Sequence, residues 1–219
     1  MSFKKLKFMP MLVIAAVMAL ACEQKSENSF TISGTADGTV DGDTVYICEI
    51  RGNYFDLVPT DTAVVKDGRF EFSGECEGVS MRWLMPVHEG VPTTVTPFIL
   101  EKGEIKAELG RGEEKSNIEG GPNSKLYAEF EKGTSEIGQQ THEHWRVYSD
   151  STKSVTERET AQAKIDSLNG EMLNYSKKFI LDHAPSDISN MIYSFSSHFL
   201  SEEDKQEIEK ALELNQPLK

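Results

Sequence analysis

The residues with the widest range of chemistry are the three cysteines, Cys22, Cys48 and Cys76. Disulfide-exchange enzymes place two cysteines in Cys-x-x-Cys, where one thiolate attacks and its neighbour resolves the mixed disulfide. This sequence contains no Cys-x-x-Cys. Cys48 and Cys76 each lie in or beside a predicted strand, so they form a candidate structural disulfide; the alternative is two independent small apolar residues.

Two polar clusters have residue types that bind metals, but neither has the required spacing. His142 and His144 are two apart, which places them about 200° apart on a helix, whereas zinc helices use an i, i+4 pair. The loop Asp37–Asp43 has three carboxylates without the ligand order of a calcium loop. We predict no metal, no cofactor, no catalytic residue and no enzymatic activity; a hydrolase using either histidine is a weaker alternative.

A candidate binding surface consists of Met81, Trp83 and Met85. These residues alternate along the predicted strand Val79–Met85 and therefore share one of its faces. They could line an open apolar groove. The alternative is ordinary burial, because large apolar residues at alternate strand positions usually belong to a core.

The start of the chain has the pattern of an export signal. A lysine-rich beginning precedes the apolar stretch Met9–Ala21, which is shorter than the roughly 20 residues of a spanning helix. The residues before Cys22 resemble a bacterial lipobox, in which this cysteine is acylated and becomes the new N-terminus; the alternative is an ordinary secretory signal. We expect residues 1–21 to be a lipoprotein signal peptide and residues 22–28 a tether.

These features predict a lipoprotein of the cell envelope, held in the membrane through Cys22, at the periplasmic face or the cell surface. The chain has 219 residues and a net charge of −13. Such an acidic protein repels phosphate backbones and anionic lipid headgroups. The composition therefore excludes nucleic acid as a partner and leaves an envelope protein as the expected one.

Residues 29–121 are predicted to form an antiparallel β-sandwich, because short alternating runs are separated by turns about every 8–12 residues. The strongest local signal is Asp67-Gly68 between the runs Thr62–Val65 and Arg69–Ser73. Asp-Gly between alternating apolar residues predicts a tight hairpin. Phe70 and Phe72 would then share its core face.

Residues 122–219 are predicted to form a set of amphipathic helices, which makes the fold class α+β. Apolar residues recur at spacings of three and four through Thr160–His183. The final helix is expected after Ser201-Glu-Glu-Asp204, which resembles a capping box.

The order of four motifs resembles a family of N-terminal domains of unknown function on lipoproteins of Gram-negative bacteria. The motifs are Phe30-Thr-Ile-Ser-Gly34, Thr44-Val-Tyr-Ile47, Asp61–Gly74 and Pro97–Gly103. Such domains usually precede a thioredoxin-like domain of the thiol:disulfide interchange type. The stretch Phe179–Ser186, followed by Leu200–Glu203, is similar to the connector before that catalytic domain.

The resemblance implies a scaffold for a redox domain, but exchange activity is not expected here because the sequence has no Cys-x-x-Cys. The first functional hypothesis is a non-catalytic binding or docking module of the envelope. The alternative is an accessory component of thiol–disulfide or redox metabolism that works with a separate thioredoxin-like protein.

Overall fold

The computed structural model describes residues 26–52, 56–112 and 115–214, and within these ranges strands precede helices. The strands are β1 (Ser29–Ala36), β2 (Thr44–Arg51), β3 (Asp56–Val64), β4 (Arg69–Glu75), β5 (Ser80–His88), β6 (Val91–Pro92), β7 (Thr96–Leu100), β8 (Gly103–Leu109) and β9 (Asn117–Glu119). The helices are α1 (Pro122–Ser149), α2 (Val155–His183), α3 (Asp187–Ser196) and α4 (Glu202–Ala211), with a 3-10 turn at Ser197–Phe199. The predicted α+β class is confirmed. The predicted signal peptide and Cys22 lie outside the described residues.

The strands form two sheets that pack face to face. The four-stranded sheet has the order β4-β1-β8-β9, and the five-stranded sheet has the order β3-β2-β5-β6 with β7 paired to β5. The ladders are antiparallel except for one, because β1 and β8 pair in parallel. Parallel neighbours need a long crossover, and here the crossover contains the whole five-stranded sheet.

The prediction of a hairpin at Asp67-Gly68 is wrong: the tight turn is present, but its two flanking strands do not pair with each other. Asp67 and Gly68 both have positive φ, and Lys66 and Arg69 exchange backbone hydrogen bonds of 2.8 and 3.0 Å across them. Beyond that single bridge the two strands separate: β3 pairs with β2 in one sheet, and β4 pairs with β1 in the other. The turn therefore crosses between sheets, because long ladders with distant strands replace the local pairing.

A first apolar core fills the space between the two sheets. Phe70 and Phe72 both point into it, with ring centroids 5.9 Å apart in an edge-to-face arrangement. Ile32, Val45 and Leu84 are completely buried there. Alternate residues of each strand supply this core, as the period of two requires.

A second core lies on the outer face of the five-stranded sheet, where the helices pack. Ile99 of β7 joins Phe179 and Ile180 of α2, Ile188 of α3 and Ile208 of α4 in this cluster. Neighbouring positions of β7, Phe98 and Leu100, face the first core instead. The five-stranded sheet is therefore apolar on both faces, and the helices cover one of them.

Helix α1 is joined to the sheet through a buried carboxylate. Glu101, only 3% exposed, directly follows β7 and accepts hydrogen bonds from the backbone N–H groups of Asn123 and Ser124 at 3.2 and 2.8 Å. The Ser124 hydroxyl and the Asn123 amide also donate to it, at 2.6 and 3.2 Å. A carboxylate satisfies the free N–H groups of a helix start and matches its positive dipole end.

Serine caps determine where the later helices begin. Ser154 and Glu157 form a complete capping box at the start of α2, five residues before the predicted start of the apolar period at Thr160. The hydroxyl of Ser201 accepts from the Asp204 N–H at 3.1 Å, as expected from the capping-box pattern. Among the described residues, no helix is both long enough and apolar enough to cross a membrane.

Candidate apolar binding site

The candidate site is an apolar cavity of about 500 Å³ between the outer face of the five-stranded sheet and helices α1, α2 and α3. Its sheet side is provided by Met81 of β5. Helix α1 contributes Tyr127 and Phe130, and α2 contributes Met172 and Leu173. This volume is within the range of cavities that bind a drug-sized ligand.

Helical periodicity explains why three helices can line one cavity. On α2 the lining residues include Asn169 and Ser176, which with Met172 and Leu173 follow the i, i+3, i+4, i+7 pattern. On α3, Ile192, Phe195 and Ser196 continue to Phe199 with the same spacing. Each helix therefore presents one continuous stripe to the cavity.

Two aromatic side chains on this surface are unusually exposed. Phe195 is 60% exposed and Phe199 is 75% exposed, although both belong to the cavity lining. Phe130, in contrast, is anchored against Phe179, with ring centroids 5.2 Å apart. The cavity thus has a packed aromatic wall on one side and solvent-exposed phenylalanines on another, which is the pattern of an apolar site open to solvent.

The hydroxyl groups in the lining are already hydrogen-bonded. Ser176 donates to the Met172 carbonyl at 2.8 Å, and Ser196 donates to the Ile192 carbonyl at 2.8 Å. Burial and the neighbouring Glu131 carboxylate raise the pKa of Tyr127, so its hydroxyl stays protonated. Among the described lining residues there is no Asp, Glu, Lys or Arg. The cavity is therefore uncharged and mostly apolar, with Asn169 as its one side-chain amide among the described lining residues.

The predicted surface of Met81, Trp83 and Met85 is divided by the fold. Only Met81 lines the cavity; Trp83 and Met85 lie farther along β5 and are half-buried. Sequence reasoning missed the helical contribution to this site. The sequence does carry a signal for it, because Ile192, Phe195 and Phe199 recur at spacings of three and four, the period of one helix face.

The candidate disulfide is not formed: Cys48 and Cys76 are both free and buried. Cys48 belongs to β2 in the five-stranded sheet, whereas Cys76 follows β4 of the four-stranded sheet. The Cys76 sulfur lies 3.5 Å from the carbonyl oxygen of Asn28. Burial raises the pKa of the Cys48 thiol, which makes it a poor nucleophile. Both cysteines act as small apolar residues here.

The two polar clusters considered as metal sites have structural positions: the acidic loop stabilises turns, and the histidine pair lies on a helix. His142 and His144 lie on α1, within one continuous helix. In the acidic loop, Asp43 accepts a hydrogen bond from the Val40 N–H at 2.7 Å and contacts His88 at 2.8 Å. Asp41 accepts from the Gly68 N–H at 3.1 Å. No group of three metal-binding side chains occurs in the described part of the chain.

Comparison with known families gives a match over the strand region. Residues 30–127 match the family model of a domain of unknown function, DUF4369. The match confirms the resemblance to a domain-of-unknown-function family. No curated protein and no solved structure matches the chain. The DUF4369 match covers β1 to β9 and the first turns of α1, so it includes Met81 and Tyr127 but not the cavity residues of α2 and α3.

Proposed function

We propose that this protein is an exported, lipid-anchored envelope protein whose folded body is a non-catalytic binding module. The apolar cavity beneath α1, α2 and α3 is its binding site. The observation that carries this proposal is the combination of a cavity of about 500 Å³ with the exposed Phe195 and Phe199 in its lining. Exposed aromatic residues beside a concave apolar surface are typical of binding sites.

The energetics support binding at this cavity. A phenylalanine side chain gains about 1.5–3 kcal/mol when it is transferred from water to an apolar environment. Phe195 and Phe199 forgo most of that gain in the free protein because both are largely exposed. A partner that covers them recovers it.

Site-specific photo-crosslinking in membranes tests the proposal. A photoreactive phenylalanine analogue replaces Phe199, which is exposed enough to accept the larger ring without repacking. The control position is Val64 on β3, which is 60% exposed and is not among the cavity residues. We expect a discrete adduct from position 199 and a much weaker one from position 64.

Equal labelling at positions 199 and 64 would remove the support for a binding module at this cavity. The identity of the crosslinked molecule distinguishes the two functional hypotheses drawn from the sequence. Capture of a thioredoxin-like protein supports an accessory role in thiol–disulfide metabolism. Capture of another envelope component supports the binding module alone.

A further inference from the structure

We infer that the cavity holds the hydrocarbon tail of a single-tailed amphiphile whose head carries no negative charge. This inference rests on the proposed function and specifies the ligand class for the same site. It follows from three properties of the cavity: the hydrogen-bonding state of its polar groups, its volume, and the charges of the residues around it.

The hydrogen-bonding state of the lining selects a hydrocarbon over a peptide. The hydroxyls of Ser176 and Ser196 already donate to helix carbonyls one turn earlier, which leaves the exposed amide of Asn169 as the main polar group of the lining. A peptide entering the cavity would bring backbone N–H and C=O groups that need partners, and leaving them unpaired is costly. An alkyl tail has no such groups. The free energy of its transfer comes from apolar burial alone.

The size of the cavity selects one tail. At about 500 Å³ it is in the range that encloses a single drug-sized ligand. A lipid with two acyl chains would leave at least one chain in water. Phe195 and Phe199, exposed in the lining, are placed to cover the part of a single tail that extends beyond the cavity.

Electrostatics determines the sign of the head group. Among the described residues that line the cavity there is no Lys or Arg to pair with a carboxylate or a phosphate. Lys177, beside Ser176 on α2, is held by the carboxylates of Asp204 and Glu207 on α4. The chain as a whole has a net charge of −13. An anionic head would therefore meet repulsion without a compensating ion pair.

Gly170 provides a way to fill the cavity without disturbing the fold. It lies in the lining on α2, and a Cβ at this position would meet no atom within 4 Å. Gly170→Leu should therefore add a side chain at the cavity lining without a clash, while the loss of a helical glycine favours the helix. Gly138 on α1 is the matched control, because its Cβ would also meet nothing within 4 Å and it is not among the cavity residues.

The test uses residues 23–219, which contain every described element but lack Cys22, whose predicted acyl chains could compete for the cavity. The probe is a monoacylglycerol with a fluorescent acyl tail, followed by fluorescence titration. We expect saturable binding of one probe per chain. Gly170→Leu should weaken it about tenfold or more, the loss expected when about two methylene groups are displaced from the cavity. Gly138→Leu should bind like the parent.

A fatty acid with the same labelled tail tests the charge argument. We expect it to bind more weakly than the monoacylglycerol at low salt, with a difference that shrinks as salt screens the protein charge. Phe199→Ser is a second variant in case Gly170→Leu does not fold, which circular dichroism would reveal. Because Phe199 is 75% exposed, this change should weaken binding several-fold while leaving the helix content unchanged.

The inference is overturned if the probe does not saturate, if the two leucine variants bind alike, or if the anionic tail binds as tightly as the neutral one. Its failure differs from failure of the proposed function. If the probe fails but photo-crosslinking at Phe199 still captures an envelope protein, the cavity is a protein-docking site and only the ligand class is wrong. If both experiments fail, the binding module is wrong as well.

Discussion

At the scale of single residues, Glu101 determines how the helices attach to the sandwich. Its carboxylate accepts hydrogen bonds from both Asn123 and Ser124 and is almost completely buried. Burial alone would raise the pKa of Glu101, but the hydrogen bonds from Ser124 and Asn123 outweigh it and lower the pKa below the ordinary value. The surrounding backbone depends on this geometry, since a Cβ on Gly121 would lie 2.8 Å from the carboxylate oxygen Oε2.

Because the folded-state pKa of Glu101 is lowered, its contribution to stability is complete above the unfolded-state pKa of about 4.3. It is lost as the pH falls through the lower folded-state value. We predict that Glu101→Gln lowers the free energy of unfolding by about 1–3 kcal/mol at neutral pH. The variant should also show a weaker loss of stability on acidification.

Urea denaturation at several pH values measures both effects. The control is Glu104→Gln on β8, which removes an exposed carboxylate close by in the sequence. If Glu101→Gln and Glu104→Gln behaved alike, the helix-capping role of Glu101 would be contradicted.

The buried thiols give a second prediction at this scale. Cys48 is completely buried and Cys76 is 8% exposed, and both are free. We predict slow alkylation of both in the native protein and full alkylation after denaturation without any reductant. Mass spectrometry of the peptides that contain each cysteine measures this. Peptides that alkylate only after reduction would indicate that the two cysteines are bonded.

At the scale of elements, the approach of α1 to α2 depends on one glycine. A Cβ on Gly133 of α1 would overlap the ring and hydroxyl of Tyr175 on α2. The same Tyr175 ring packs 5.9 Å from Phe130, centroid to centroid, next to the cavity. The close contact of these helices therefore shapes the aromatic wall of the cavity.

We predict opposite effects for alanine at two glycines of the same helix. Gly133→Ala should destabilise the protein by about 1–3 kcal/mol, because the new methyl group forces the helices apart. Gly138→Ala should stabilise it by up to about 1 kcal/mol, because alanine favours the helix and its Cβ meets open space. Thermal unfolding followed by circular dichroism distinguishes the two. A stabilising Gly133→Ala would refute the close contact.

The elements also show which features the sequence can specify. The alternation of residues along the strand predicted that Phe70 and Phe72 share a core face, and both are buried. This prediction succeeded because the two-residue period of a strand depends only on the local backbone. The hairpin prediction failed because the partner of β3 is β2, and only the long-range ladder decides that choice. The cavity could not be predicted from the sequence for a related reason. Helical stripes are visible in sequence, but an uncovered space between three helices and a sheet arises only from their packing.

At the scale of the whole molecule, membrane attachment is predicted to depend on one residue outside the described ranges. We expect Cys22→Ala to give a soluble or an unprocessed protein, because acyl chains supply the anchoring free energy at about 0.8 kcal/mol per buried CH₂. Membrane fractionation and the mass of the purified protein measure the outcome. Cys76→Ala, which changes only the folded body, should remain membrane-bound. A processed Cys22→Ala protein that stayed fully in the membrane would contradict the lipid anchor.

The parallel pair β1–β8 has a consequence for how the molecule is made. β1 is the first strand of the described residues, and it lies inside its sheet between β4 and β8. Its second neighbour is therefore synthesised only after the entire five-stranded sheet. Such non-local pairing slows folding, because the entropy of loop closure is lost before the contacts form. For a protein that we propose is exported, this delay is useful, because β1 cannot complete its pairing until most of the sandwich has been synthesised.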